Sequence, residues 1–489
     1  TTPIKPASYY SGRFFGSFFL SIFIQLGITI GLATGFLMPY LDQDAIGIFR
    51  LDAYLHPILV MVIPNVFLVG SILFSLAILS RRMLPTYLAS VILLFGYLTS
   101  SNLTNDIETR WIASLLDPFG GEAISDLVKY WTPTERDTLL IPLGKWLVFN
   151  RVIWLFVGVF FFLFGMKKFS FSKEYKLFSL KRRKSSQTAE EEVFESSEVQ
   201  KIIRPTFNRF TTWLQFTTQL KIEIKRAFRD PYFLAIAGTA AGFLLLNQSA
   251  IGKMYGVNTL PVTYEVLSVL SGSFALFMII IITFYSGQII WKERELQADQ
   301  IIDSLPVANW IPMVSKLVAL IILPGIMLSL LMLVGIGIQI WKGFYDFEID
   351  LYFKKLFILD WTRYMLLCVL AFSIQIMVNH KYLGHFLMIL YFLFGIFAGQ
   401  LGLNHTLYYF GSGSGAPYSD MNGYTPYLER LFTYKLYWIS FSALIIIVSN
   451  LFWVRGSYGD LKSRLEIAKN RMNKFSIIGI SVSLILFIS

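Results

Sequence analysis

Lys292 to Pro306 read KERELQADQIIDSLP, a short charged stretch set between two very apolar runs. The run before it, Thr263 to Trp291, and the run after it, Ile311 to Ile340, are each long enough to cross a bilayer, which takes about 20 apolar residues. The charged stretch between them therefore predicts a short helix at the membrane face, in water, where a soluble protein can push on it.

Composition agrees with that placement. Of 489 residues, 55% are hydrophobic, 17% aromatic and only 15% charged, with a mean hydropathy of +0.59. These values exclude a soluble domain and predict an all-α, polytopic membrane protein. Apolar runs give about eleven candidate spans, at 13–38, 57–79, 83–100, 146–165, 232–247, 263–291, 311–340, 362–378, 384–402, 434–454 and 475–489. Lys and Arg are retained on the cytoplasmic side during insertion. We therefore assign 1–13, 80–84, 166–230, 291–316, 379–385 and 455–474 to the cytoplasm. Those segments hold 29 of the 42 basic and 14 of the 31 acidic residues, a net of +15, and the rest of the chain carries −4. The basic block Lys181-Arg182-Arg183-Lys184 then lies beside anionic lipid headgroups, and the pI needs no nucleic acid.

The chain repeats itself at a period near 300 residues. PASYYSGRFFGSFF from Pro6 aligns with PVANWIPMVSKLVA from Pro306, each leading into a long span. LSRRMLPTYLASVILLFGYL from Leu79 aligns with VNHKYLGHFLMILYFLFGIF from Val378, both ending in a Phe-Gly, Phe95-Gly96 and Phe394-Gly395. Tyr130-Trp131-Thr132-Pro133 with Glu135-Arg136 matches Tyr424-Thr425-Pro426 with Glu429-Arg430. Two fused half-proteins follow, as in transporters with parallel repeats. The boundaries expected are 1–166 for the first half, 167–205 for a linker, 206–455 for the second half, and 456–489 for a cytoplasmic segment and the start of an extra span. By comparison with the second half, the first is expected to lack a helix and two spans upstream. The final run, 15 residues from Phe475, is expected to continue beyond Ser489.

The order of long span, Glu-Arg-Glu, amphipathic turn, Leu-Pro and second span resembles the coupling helix of ABC-2 type transporter permeases. Thr206 to Arg229, mixing Phe207, Phe210, Trp213 and Leu214 with Arg209, Lys221 and Lys225, resembles the cytoplasmic connecting helix of the same family. The phrases SLLDPFG (Ser114 to Gly120) and YWTPTER (Tyr130 to Arg136) resemble its bacterial members that carry a C-terminal zinc aminopeptidase-like domain, a domain absent from these residues. The resemblance implies the permease of an ATP-driven exporter in the bacterial inner membrane, worked by two copies of a separate ABC ATPase that bind ATP and Mg. It implies a coupling contact of Glu293, Arg294, Glu295, Asp299, Asp303, Leu305 and Pro306, with Pro6 the remnant of the opposing one. The alternative is a membrane anchor or regulator of a downstream extracytoplasmic peptidase-like domain.

The chain itself carries no GxxxxGK[ST] loop and no HExxH, so it is not expected to be an enzyme or to hold a cofactor. His56, His380, His385 and His405 are scattered, with no metal set expected, and His380 and His385 read as part of a solvated turn. Cys368 reads as a small buried hydrophobe. Glu265, Lys316, Arg363 and Lys435 lie near span ends, where long side chains snorkel, and Arg151 reads as an anchor at the outer face. Gly27, Gly31 and Gly35 in the first span, and Gly238 and Gly242 in the fifth, have the four-residue spacing of close helix packing. The substrate has no signature in the sequence.

Overall fold

The computed structural model describes residues 4–35, 50–81, 83–103, 109–171, 208–246, 248, 251–254, 257–413, 415–456 and 461–488. Most of the expected linker, including the basic block, lies outside the described residues, as do Thr206-Phe207 at the start of the expected second half. The chain divides into two compact units, Thr1–Glu198 and Val199–Ser489.

Unit one contains α1 (Pro6–Gly35), α2 (Leu51–Pro57), α3 (Ile63–Ser80), α4 (Met83–Leu103), α5 (Arg110–Leu116), α6 (Gly121–Val128), α7 (Pro133–Thr138) and α8 (Lys145–Lys168). Unit two contains α9 (Arg209–Phe228), α10 (Pro231–Leu246), the two-residue hairpin β1 (Lys253–Met254) and β2 (Val257–Asn258), α11 (Thr263–Glu295) and α12 (Asp299–Asp303). It continues with α13 (Trp310–Trp341), α14 (Ile349–Phe353), α15 (Trp361–Val378), α16 (Lys381–Phe397), α17 (Leu428–Phe452), α18 (Leu461–Arg471) and α19 (Lys474–Ile488). Helix is the dictated choice for such apolar runs, because only a helix satisfies its own backbone hydrogen bonds in lipid.

Seven helices are long and apolar enough to cross a membrane, or eight if the α18–α19 pair, bent by 96°, is counted as one. The eleven spans expected are therefore not all matched. The apolar part of α4, together with α10 and α16, forms shorter apolar helices of 10–17 residues. α10, with 16 residues, extends about 24 Å against a hydrocarbon core of about 30 Å. In unit two, half of the apolar window of both α11 and α13 is buried, whereas none of α1's is, so α11 and α13 are the centre of their unit and, among the described residues, α1 buries side chains fully only in its first turns. There Tyr10 and Phe14 are buried, and the Tyr10 hydroxyl lies 2.7 Å from Ser75 Oγ.

Within the described residues, most of the glycines expected to pack closely carry no helix. Four-residue spacing makes a smooth ridge, but a helix has to lie on it, and a Cβ added at Gly27, Gly31, Gly35 or Gly238 would meet nothing within 4 Å. Gly242 is half-buried in α10. Close approach is used elsewhere: a Cβ at Gly165 would overlap the Tyr10 hydroxyl, and one at Gly384 would sit 2.5 Å from the Gln375 side chain.

The same order of devices occurs inside each unit. In each, a 30-residue helix, Leu51–Ser80 or Ile349–Val378, contains a π-helical segment near its start, Ile58–Val62 or Lys354–Asp360. In the first, Pro64 cannot donate to the preceding turn, and the Ile63 N–H bonds five residues back to Ile58 O. In the second, the 2.9 Å ion pair of Lys355 with Asp360 joins two residues five apart, which are neighbours on a π turn. Each long helix ends at a left-handed residue, Arg81 (φ 51°) or Asn379 (φ 53°), and a shorter apolar helix follows. In that following helix, Gly96 and Gly395 lie against the next loop, their added Cβ atoms 3.7 Å from Pro118 and 3.8 Å from Tyr409. Finally, an indole on the long helix after that loop grips it, on α8 in unit one and on α17 in unit two: Trp154 donates to Leu115 O at 3.0 Å and Trp438 to Ser412 O at 2.8 Å.

Candidate functional site

The charged stretch leaves α11, turns at Gln297 (φ 55°), forms the single turn α12 and enters α13. Its first acid does not face water. Glu293 accepts from Lys316 Nζ at 2.8 Å and lies 3.7 Å from Arg226. Lys316, six residues into α13, is 1% exposed, and donates to Ile289 O at 3.0 Å. It is also 3.9 Å from Glu223 of α9, which is 3% exposed. Lys292 pairs with buried Asp230 at 3.6 Å. Glu223, Arg226, Asp230, Lys292, Glu293 and Lys316 form an electrically balanced cluster tying α9, α11 and α13 together. Burial pushes the Glu223 carboxyl above its usual range, with Lys316 and Arg226 pulling the other way. Snorkelling, the reading given to Lys316, is overruled because a carboxylate and a carbonyl meet its ammonium inside the protein.

The remaining charges of the stretch also face their own unit. The Arg294 guanidinium stacks over Trp291 at 4.8 Å and donates to Asn379 Oδ1 at 3.0 Å, and Glu295 pairs with Lys381 at 2.6 Å. Glu293, Arg294, Asp299 and Asp303 share the rim of a cavity of about 30 Å³. Arg455, just past α17, holds the turn after α12. It donates to Asp303 O, Leu305 O, Val307 O and Asn309 Oδ1 at 2.6–3.0 Å, and the Gly456 N–H donates to Asp303 Oδ2 at 2.8 Å. Arg464, 3% exposed in α18, donates to Ile376 O and Met377 O, two of the last carbonyls of α15. Among what the stretch exposes are three large apolar side chains, Leu296 at 68%, Ile301 at 73% and Leu305 at 50%, with Pro306 beside them and the polar Glu295, Gln297, Gln300 and Ser304 between. The structure thus divides the expected contact residues in two. Glu293, Arg294 and Asp303 brace the turn from within and Asp299 lies half-buried at the cavity rim, whereas Glu295, paired with Lys381 yet exposed, Leu305 and Pro306 face out. Pro6 begins α1 in the other unit.

Sequence reasoning missed Glu223, Arg455 and Arg464. Glu223 had a signal, being the sole acid in a helix otherwise basic at Arg209, Lys221, Lys225 and Arg226. The arginines were counted only as inside markers. α9 does keep the amphipathic character expected of it, with Glu223 and Ala227 buried and Phe210, Trp213 and Leu214 exposed.

In unit one, Arg151 is no outer anchor. It is 8% exposed and donates to Asn65 Oδ1 at 2.7 Å and Asn150 Oδ1 at 2.6 Å. Asn150 Nδ2 in turn donates to Ser114 O and Asp117 O, and Asn65 Nδ2 to Phe119 O. Asp117 accepts the backbone N–H groups of Phe119 and Glu122. The SLLDPFG loop is thus folded onto α3 and α8 by side chains that its own carbonyls satisfy. At YWTPTER the structure places a capping box: Thr132 and Glu135 bond reciprocally at the start of α7, and the bonds from Thr132 hold the Glu135 carboxyl below its usual range. His380 is exposed, as expected of a solvated turn, and caps α16 by accepting from Leu383 N, whereas His385 Nδ1 lies 3.2 Å from Gln375 Nε2 in a half-buried site, so for His385 the solvated reading does not hold.

No protein-family model matches the chain, and neither a curated protein nor a solved structure matches it.

Proposed function

We propose that this chain is the membrane permease of an ATP-driven exporter of the ABC-2 type, built from two half-permeases and worked by ATPase subunits at the cytoplasmic face of a bacterial inner membrane. One observation carries the reading: the turn between α11 and α13 is braced by buried ion pairs and by Arg455, yet presents Leu296, Ile301 and Leu305 to water. A mere connector needs neither the bracing nor the apolar tip. A lever needs both, because a force applied at the tip reaches α9, α11 and α13 only if the joint to them is stiff. The recurrence of the π-helical segment, left-handed turn and indole-gripped loop in both units supports the two-half architecture.

In this mechanism ATP closes the partner ATPases, the tip moves with them, and the Glu223–Glu293–Lys316 cluster passes the displacement to the long helices. The partner surface that fits is an apolar groove rather than the basic patch that a row of exposed acids would have required. The triple variant L296S/I301S/L305S therefore keeps its fold and loses partner binding, measured by co-purification of an ATPase encoded beside it and by ATP hydrolysis in nanodiscs. Undiminished binding and hydrolysis in this variant would remove the proposal's support.

A further inference from the structure

In unit one, a cleft of about 450 Å³ opens between α1, α3 and the residues following α8. Phe74, Ile78 and Phe171 give it apolar walls, and Tyr9 stands at its side. Two guanidiniums line it. Arg13 donates to the Tyr9 hydroxyl at 3.1 Å and lies 5.5 Å above that ring. Arg81 donates to Ser170 O at 3.3 Å and to Phe171 O. These described partners are a phenol and two backbone carbonyls, none of them charged, so each arginine keeps donors and a full positive charge for something else. Both side chains are exposed. Tyr9, Arg81 and Phe171 come from the three segments of this unit that the charge distribution assigns to the cytoplasm, so the cleft opens at the level of the inner-leaflet headgroups.

We propose that this cleft binds the phosphate of an anionic phospholipid of the cytoplasmic leaflet. Arg13 and Arg81 take the phosphate, which guanidinium donors match in geometry as well as charge. An acyl chain then lies along Phe74 and Ile78 and on toward Phe15 and Phe19, which are 40% and 64% exposed on α1. Free phosphate is the poorer match, because five of the eight lining residues, Phe74, Ala77, Ile78, Phe169 and Phe171, are apolar. The inference is independent of the transport reading.

The test uses the full chain in neutral detergent, titrated with phosphatidylglycerol, phosphatidylcholine or inorganic phosphate, with native mass spectrometry and thermal unfolding as readouts. Phosphatidylglycerol is expected to bind and raise the unfolding temperature, with little effect of the other two. R13Q, which alters an exposed side chain, and R81N, which suits the left-handed backbone there, each weaken the lipid by about fivefold. R430Q, at an exposed arginine of the other unit, leaves affinity unchanged. Equal binding of phosphatidylcholine, unaltered affinity in R13Q, or displacement of the lipid by millimolar inorganic phosphate would each overturn the assignment.

Discussion

Among single residues, Lys316 carries the most consequence. Its ammonium lies between Glu223 and Glu293, so removing it leaves two carboxylates inside the protein with only the partly exposed Arg226 between them. K316M should therefore destabilise unit two by about 3–5 kcal/mol, whereas K316M/E223Q/E293Q, which removes charge from both sides, should recover most of that loss. Thermal unfolding in detergent compares them, and equal losses would refute the buried-cluster description. The raised pKa of Glu223 sets a sign as well. A carboxyl that holds its proton more tightly when folded contributes stability below the unfolded glutamate value of about 4.3, and that contribution is lost as pH rises through the folded value. The E223Q variant should lack this component, so its stability relative to wild type should improve as pH rises. Cys368 supplies a smaller case. Pro324 cannot donate to Leu320 O, the carbonyl four residues back, and the Cys368 thiol lies 3.7 Å from that oxygen. C368S should be tolerated and C368V should cost about 1 kcal/mol, the usual loss for a net hydrogen bond.

At the scale of elements, the sequence made the long apolar helices and their order legible, since period and length alone mark them. It left two things illegible. One is which way a charged side chain points. KERELQADQIIDSLP reads as a solvated acidic surface, but Glu293 turns inward because α9 and α13 offer Arg226 and Lys316, and those partners lie about 70 and 20 residues away in sequence. The other is which short apolar helices span, because α10 and α16 fall below the bilayer length that run-counting assumed. The turn after α12 provides the matching prediction. Arg455 holds it by four hydrogen bonds, three of them to backbone carbonyls, so R455M should leave α11 and α13 intact while amide hydrogen exchange between residues 300 and 309 accelerates by about tenfold or more. Unchanged exchange there would mean that the turn stands by itself.

For the molecule as a whole, sidedness follows from charge, +15 against −4. Cysteines introduced at Ser304, exposed on the charged turn, and at Met421, 93% exposed in the loop before α17, should label from opposite faces of a sealed vesicle, Ser304 from the cytoplasm. Labelling of both from one face would reverse the insertion scheme. The repeat was legible as short matched phrases, but its clearest sign, a π turn at the same place in two helices of equal length, leaves no motif behind. That turn has its own consequence. A π turn accommodates one residue more than an α turn, so the start of each helix is out of phase with the remainder by about 100°. The two ends of one rod then address different neighbours, and deleting a single residue from Ile58–Val62 or Lys354–Asp360 should bring them back into phase, swivelling the outer end as no substitution can.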